Sequence, residues 1–79
     1  QDLPELARTL DAYAALLHAQ GRAADALPLY AEALDLRRRV LGDGHRLTAD
    51  SLSNLGACRF DAGDVAGAEA PLREALAVY

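Results

Sequence analysis

The residues of this chain that could support covalent or acid–base chemistry are Cys58, His18, His45, Ser51 and Ser53. Nucleophilic catalysis needs a nucleophile, a base and a group that orients the base, brought together in a cleft that excludes water. The two histidines are far apart in sequence and only one cysteine is present, so the spacing matches no metal motif. We therefore predict no catalytic site, no metal site and no cofactor, and we expect the chain not to be an enzyme.

Each of these side chains also has a structural interpretation. Cys58 is expected to be a buried small apolar residue, and its status as the single cysteine fits a reducing, cytoplasmic compartment. His18 has no carboxylate at its helical neighbours, so it is expected to be a surface or groove contact and not a base.

The only basic run in the sequence is Arg37-Arg38-Arg39. Near the end of a helix, these guanidinium groups stabilise the partial negative charge of the last carbonyl groups. The alternative is a site for a phosphate or an acidic partner. Eight arginines stand against twelve acidic residues, a net charge of −4, and no apolar run reaches the ~18 residues that span a bilayer. We therefore expect the chain to bind neither nucleic acid nor membrane.

The composition predicts that helices position these side chains. Alanine and leucine occupy 33 of the 79 positions, whereas isoleucine, methionine, tryptophan and lysine are absent. Only five residues are β-branched. Alanine and leucine favour helices and β-branched side chains favour strands, so the predicted fold class is all-α.

Apolar residues recur at steps of three and four along four segments, which is the spacing of one face of an α-helix. Turns containing glycine separate the segments at residues 21, 42–44 and 63–64. The predicted helices cover about residues 4–20, 23–41, 48–62 and 65–79. Asp2, followed three residues later by Glu5, predicts a capping box at the start of the first helix.

The two halves of the chain repeat each other with an offset of 42 residues. The offset superposes identical residues at Leu10/Leu52, Ala15/Ala57, Gly21/Gly63, Ala24/Ala66, Ala26/Ala68, Glu32/Glu74, Ala33/Ala75 and Leu34/Leu76. Small residues recur where two helices of a hairpin would touch, and leucines recur where a hairpin would face its neighbour. We predict a single repeat domain over residues 1–79, with repeat 1 at about 4–42 and repeat 2 at about 47–79.

The repeated positions resemble the tetratricopeptide repeat pattern. They are Tyr13-Ala14, Leu17, Gly21, Ala26, Tyr30 and Ala33, and then Leu55-Gly56, Gly63, Ala68, Leu72 and Ala75. The 42-residue period, the run from Ala26 to Tyr30 and the turn from Leu41 to His45 resemble the kinesin light chain-like subtype. The resemblance implies two antiparallel helical hairpins stacked as a right-handed α-solenoid, and a structural role for His45 in closing the turn.

Three residues depart from the family pattern. Arg59 replaces the usual aromatic residue or leucine, Arg46 replaces the usual proline after the turn histidine, and Pro71 lies one residue later than its counterpart Pro28. Proline within a helix removes a hydrogen bond and clashes with the carbonyl four residues earlier. We therefore predict a bend or a ragged first turn between Gly67 and Pro71.

In proteins that this chain resembles, the first helix of each repeat lines a concave surface that accepts an extended peptide or a partner helix. The corresponding candidate groove positions are Arg8, Asp11, Ala12, Ala15, His18, Asp50, Ser53, Asn54, Ala57 and Phe60. Asn54 offers donors and an acceptor to a peptide backbone, and Phe60 offers the one large apolar surface. The alternative is an ordinary solvated helix face. Binding of a terminal carboxylate by lysines is not expected, because the chain has none.

The predicted function is a non-enzymatic interaction module that presents this groove to a protein or peptide. The alternative is self-association through uncapped repeat ends, or a structural segment such as the sensor or scaffold arm of a larger bacterial signalling regulator. Two repeats are fewer than such folds usually need, and Leu72, Leu76 and Val78 leave an apolar stripe on the last helix. We therefore expect the chain either to be a piece of a longer array or to form homo-oligomers.

Overall fold

The computed structural model describes residues 2–79 and consists of four α-helices. These are α1 (Leu3–Ala19), α2 (Ala23–Leu41), α3 (Arg46–Asp61) and α4 (Val65–Val78). Helix α1 packs against α2, α3 packs against α4, and α2 packs against α3. Within the described residues no strand forms, so the predicted all-α helical repeat is confirmed.

Side chains cap three of the helices. Asp2 Oδ1 accepts a hydrogen bond from the Glu5 N–H at 2.8 Å, as the capping box predicts. His45 Nδ1 accepts from the Leu47 N–H at 3.0 Å, so α3 begins at Arg46, two residues before its predicted start at Thr48. Thr48 instead lies buried inside the first turn, where its hydroxyl donates to the Gly42 carbonyl at 2.8 Å.

The glycine turn of the first hairpin and that of the second have the same hydrogen-bond pattern. Gly21 and Gly63 have φ angles of +79° and +95°, a region that favours glycine because it has no Cβ. The Gly21 N–H donates to the His18 carbonyl at 3.0 Å, and the Gly63 N–H donates to the Phe60 carbonyl at the same distance. The 42-residue offset read from the sequence is therefore also present in the backbone hydrogen bonds.

The core is built from small residues within each hairpin and from larger residues between the hairpins. Alanines at positions 7, 14, 26 and 33 are fully buried in the first hairpin, and Ala49, Ala68 and Ala75 are buried in the second. At Gly56 the approach of α4 is so close that an added methyl group would lie 2.6 Å from Leu72 Cγ. Leu52, Leu55, Tyr30 and Leu34 fill the space between the hairpins.

The predicted bend or ragged first turn between Gly67 and Pro71 is wrong, because α4 is regular there. It runs without interruption from Val65 to Val78, and Asp64 caps it by accepting from the Gly67 N–H at 2.9 Å. Pro71 supplies no N–H to the Gly67 carbonyl, but Arg59 Nη1 of α3 donates to that carbonyl at 3.1 Å. The guanidinium therefore replaces the donor that the proline removed, and the helix stays regular.

Replacing Arg59 by methionine is expected to lower the free energy of unfolding by about 1–2 kcal/mol, because the Gly67 carbonyl loses the hydrogen bond from the guanidinium. The same replacement in a Pro71→Ala background is expected to cost less, since the alanine N–H reaches the Gly67 carbonyl in the ordinary helical pattern. Urea unfolding of the original chain, the two single variants and the double variant measures the coupling between Arg59 and Pro71. Equal losses in both backgrounds would show that Arg59 acts elsewhere.

Candidate functional site

The predicted groove positions lie on α1 and α3 and differ in how accessible they are. Arg8, Ala12, Ala15, Ala57 and Phe60 are exposed, whereas Asp11, His18, Asp50, Ser53 and Asn54 are half-buried. Several of the half-buried polar groups contact other residues of the chain and hold helices together.

His18 connects the two helices that carry the groove positions. Its Nε2 lies 2.5 Å from Asp61 Oδ2, so the end of α1 is tied to the end of α3 across 43 positions of sequence. The edge of the imidazole ring also meets Tyr30 of α2, with ring centroids 6.2 Å apart. The carboxylate that the sequence does not place beside His18 on α1 is thus supplied by another helix.

Asp11 belongs to a polar junction among the first three helices. Arg37 of α2 donates through Nη1 to Asp11 Oδ2 and also to Ser51 Oγ of α3, the latter at 2.8 Å. The Arg37 and Asp11 side chains are only 12% and 13% exposed. Burial raises the pKa of the Asp11 carboxyl above its ordinary value of 3.8, and the Arg37 guanidinium opposes that rise. Asp11 therefore acts as a structural ion-pair partner.

Asp50 of α3 also has a partner within the chain, the Tyr79 side chain that follows α4. The Tyr79 hydroxyl donates to Asp50 Oδ1, and this hydrogen bond raises the pKa of the Tyr79 hydroxyl. The Arg46 guanidinium lies over the Tyr79 ring, 5.9 Å from its centroid. The arginine that replaces the usual proline after the turn histidine thus fixes the end of α4 against the start of α3.

The groove positions Asn54, Phe60 and Arg8 take no part in these contacts. Within residues 2–79, neither the Asn54 amide nor the Arg8 guanidinium has a hydrogen-bond or ion-pair partner. Phe60 is 58% exposed. Asn54, Ala57 and Phe60 follow one another at three-residue steps on α3, so a free amide and an exposed ring flank one small residue.

The family assignment follows from comparison with known proteins. Residues 5–79, almost the entire chain, match the tetratricopeptide repeat. The chain belongs to the tetratricopeptide repeat family. Tetratricopeptide repeats are in general protein–protein interaction modules and are typically non-enzymatic. A comparison with curated proteins finds no match.

The basic run of this tetratricopeptide repeat chain is distributed among internal partners. Arg37 binds Asp11, and Arg39 pairs with Asp35 one turn earlier at 2.9 Å. Arg38 donates to Glu74 of α4 at 2.5 Å, and this hydrogen bond raises the pKa of its guanidinium. All three guanidinium groups thus have an acidic partner within the chain, which favours the structural interpretation over an anion-binding site.

The residues singled out for covalent chemistry also have structural roles. Cys58 is fully buried and is a free thiol, and its Sγ donates to the Ala23 carbonyl at 3.2 Å. Burial raises the pKa of the thiol, so at neutral pH it stays protonated and is a poor nucleophile. Among residues 2–79 no three metal-ligating side chains come together, and no helix is long and apolar enough to cross a membrane.

Each hairpin of this tetratricopeptide repeat chain has a recess at its open end that sequence reasoning missed. The first has a volume of about 430 Å³, with Leu3, Leu36, Val40, Leu41, Leu47 and Arg8 among its lining residues. The second, also about 430 Å³, is lined by Arg46, Asp50, Val78 and Tyr79. Each of these four residues lies 42 positions after a residue that lines the first recess. The repeat offset was the signal that could have paired the two recesses.

Proposed function

We propose that this tetratricopeptide repeat chain is a non-enzymatic interaction module that presents one face of α1 and α3 to a peptide or a partner helix. The observation that supports it best is the free amide of half-buried Asn54 beside exposed Phe60. An amide with two donors and one acceptor can pair with a peptide backbone of any sequence. Phe60 would then supply apolar contact area to one side chain of the ligand.

The proposed binding mechanism is a rigid face, which helix packing holds in place before a ligand binds. Fully buried alanines hold α1 against α2, and Ala75 and Gly56 hold α3 against α4. The His18–Asp61 contact ties α1 to α3 directly. Because these contacts form without a ligand, the face binds without a large ordering penalty. The exposed alanines Ala15 and Ala57 leave room for a backbone to approach closely.

Replacing Asn54 by alanine is expected to weaken a ligand peptide by about 1–3 kcal/mol, because the peptide groups that it pairs with would be left unsatisfied. The ligand is obtained by panning a random peptide library against the immobilised chain, and its affinity is measured by calorimetry. Phe60→Ala is expected to weaken the same peptide through lost apolar contact. Glu32→Ala, at an exposed position of α2, is the matched control and is expected to change nothing.

Two results would contradict this proposal. A selected peptide that binds the Asn54→Ala and Phe60→Ala variants as tightly as the original chain binds elsewhere on the chain. A peptide weakened equally by all three variants, each of which circular dichroism shows to be helical, does not depend on the groove positions in particular.

We further propose that the chain is of the kinesin light chain-like subtype and that it is cytoplasmic. The kinesin light chain-like subtype is supported by the 42-residue offset, which recurs in the helix-ending turns and in the paired recesses. A cytoplasmic location is supported by the free, buried thiol of Cys58, because thiols persist in a reducing compartment.

A further inference from the structure

The turn that joins α2 to α3, residues 42–45, is fixed at both of its ends. At its start the Thr48 hydroxyl donates to the Gly42 carbonyl at 2.8 Å. At its end His45 Nδ1 accepts from the Leu47 N–H at 3.0 Å. The two middle residues of the turn, an aspartate and the glycine that follows it, are exposed. The least supported part of the turn is therefore an aspartyl–glycyl bond.

Asp43 and Gly44 carry two groups that can react with each other. The Gly44 N–H donates no hydrogen bond to any residue in the range 2–79. The Asp43 side chain is 75% exposed, and its one hydrogen bond within that range comes from Arg38 Nε at 2.9 Å. Glycine has no side chain to shield its nitrogen, and even an added Cβ at Gly44 would meet no atom within 4 Å. The amide nitrogen can therefore approach Cγ of the aspartate.

We propose that Asp43 is a site of isoaspartate formation, which is an intramolecular dehydration followed by hydrolysis. The Gly44 nitrogen attacks Asp43 Cγ and loses its proton, and one carboxyl oxygen leaves as water, so that a five-membered succinimide closes. Water then adds to one of the two imide carbonyl carbons. Addition at the main-chain carbon breaks its bond to the nitrogen and leaves the chain linked through Cγ, whereas addition at Cγ restores aspartate. The sequence of steps needs no oxidant, reductant or second reactant besides water.

The other seven aspartates of the chain are less suited to this reaction. Five lie within helices, where the main chain is held in helical geometry: Asp11, Asp25, Asp35, Asp50 and Asp61. The remaining two, Asp2 and Asp64, accept hydrogen bonds from helix N–H groups as caps. They also precede Leu3 and Val65, whose side chains shield the nitrogen that would attack. Asp43 alone combines an exposed turn with a following glycine.

Arg38 is the residue that opposes the reaction. Its hydrogen bond restrains the Asp43 carboxylate, which has to rotate before Cγ reaches the Gly44 nitrogen. Arg38 also donates to Glu74 of α4 at 2.5 Å, so the guanidinium is itself held in place. We therefore expect the rate of isoaspartate formation to depend on this arginine.

The modification would alter the connection between the two repeats. The isoaspartyl linkage adds one carbon to the main chain between Gly42 and His45, the two points at which the turn is fixed. The carboxylate then stands on Cα, one carbon closer to the main chain, where the Arg38 hydrogen bond cannot form in the same way. The modified chain is expected to unfold at a lower urea concentration than the original chain.

The test follows the purified chain during prolonged incubation at neutral pH and physiological temperature. Trypsin cleaves after Arg39 and Arg46 and releases a peptide of residues 40–46, in which Asp43 is the only acidic residue. The isoaspartyl form of this peptide has an unchanged mass, separates by reversed-phase chromatography and accepts a methyl group from S-adenosylmethionine with isoaspartyl methyltransferase. This form is expected to accumulate with time, after a succinimide that lacks one water.

Four variants make the test specific. Gly44→Ala is expected to slow the reaction severalfold because the methyl group hinders the nitrogen, and it fits the fold because Gly44 lacks a positive φ and has open space around it. Asp43→Glu keeps the carboxylate but would need a six-membered ring, so it is expected to abolish the reaction. Arg38→Met is expected to accelerate it. Arg39→Met, which breaks a pair on the same helix away from the turn, is the matched control and is expected to change nothing.

Two outcomes would overturn the inference. The first is a folded chain that forms no isoaspartate during an incubation in which the same chain, unfolded in urea, accumulates it, because the turn would then protect Asp43. The second is an equal rate in Gly44→Ala and the original chain, each shown to be helical by circular dichroism. This inference does not rest on the groove: Asn54→Ala is expected to be modified at the original rate, so the two proposals fail separately.

Discussion

Replacing Arg37 by methionine is expected to lower the free energy of unfolding by about 3–5 kcal/mol, because it leaves the Asp11 carboxylate buried without its counter-charge. Ser51 Oγ would lose the same donor. Methionine keeps most of the apolar stem, so the change isolates the lost charge and hydrogen bonds. Urea unfolding at neutral pH measures the difference.

The loss is expected to shrink as the solution is acidified. Burial raises the folded-state pKa of Asp11 above 3.8, so the folded chain binds this proton more tightly than the unfolded chain. The contribution of Asp11 to stability therefore falls as pH rises through the window from 3.8 to the raised value, and it returns as pH falls. Without Arg37 the folded pKa of Asp11 rises further, so the variant buries a neutral Asp11 carboxyl as the pH falls toward 3.8.

Two comparisons make this prediction specific. Asp11→Asn combined with Arg37→Met removes the uncompensated charge and is expected to recover part of the stability lost in Arg37→Met alone. Arg39→Met breaks an exposed pair on the same helix and is expected to change stability by less than about 0.5 kcal/mol. A loss in Arg37→Met that is independent of pH would mean that packing, not Asp11, causes it.

Replacing Leu52 by alanine is expected to lower the free energy of unfolding by about 2–5 kcal/mol, because Leu52 is 2% exposed and lies in the apolar cluster between the two hairpins. A chain of this length has a total stability of about 4–12 kcal/mol, so the variant loses a large fraction of it. Thermal unfolding followed by circular dichroism measures the shift in Tm.

The repeat supplies a matched control for this prediction. Leu10 occupies the same position in the first repeat but is only half-buried, in a smaller cluster with Ala7, Ala33 and Leu36. Leu10→Ala is expected to cost less than half as much, since its neighbours can relax into the space. Equal losses at Leu10 and Leu52 would mean that the space between the hairpins is no better packed than the end of the first hairpin.

The elements of the fold were predictable from periodicity and glycine placement, because those signals are local. Steps of three and four and the glycines at 21 and 63 locate the helices and the hairpin turns. The polar contacts were not predictable in this way. Arg37 reaches Asp11 and Ser51 across 26 and 14 positions of sequence, so their pairing depends on how three helices pack.

Only part of the candidate site was predictable from the sequence. The family pattern locates the groove positions, but it does not say that Asp11, His18 and Asp50 already have partners while Asn54 has none within residues 2–79. Those partners come from other helices: Arg37, Asp61 and Tyr79. Side chains that reach across an interface determine which face positions remain free.

The irregular start predicted for α4 was wrong because two departures from the family pattern compensate each other. The family pattern shows that Pro71 removes a hydrogen bond and that Arg59 replaces an apolar residue, but it does not show that the two residues act on the same carbonyl. In the fold the Arg59 guanidinium donates to the Gly67 carbonyl that Pro71 cannot reach. A helix-breaking residue is tolerated when a donor from a neighbouring helix takes over the carbonyl it leaves free.

The Arg59–Gly67 contact also constrains the order in which the two substitutions could have arisen. A lineage that gained Pro71 first would have passed through an ancestor whose Gly67 carbonyl had no donor, whereas one that gained Arg59 first would not. Selection for stability therefore favours the route through arginine. Homologues that carry arginine at this position without the proline are expected to outnumber those that carry the proline without the arginine.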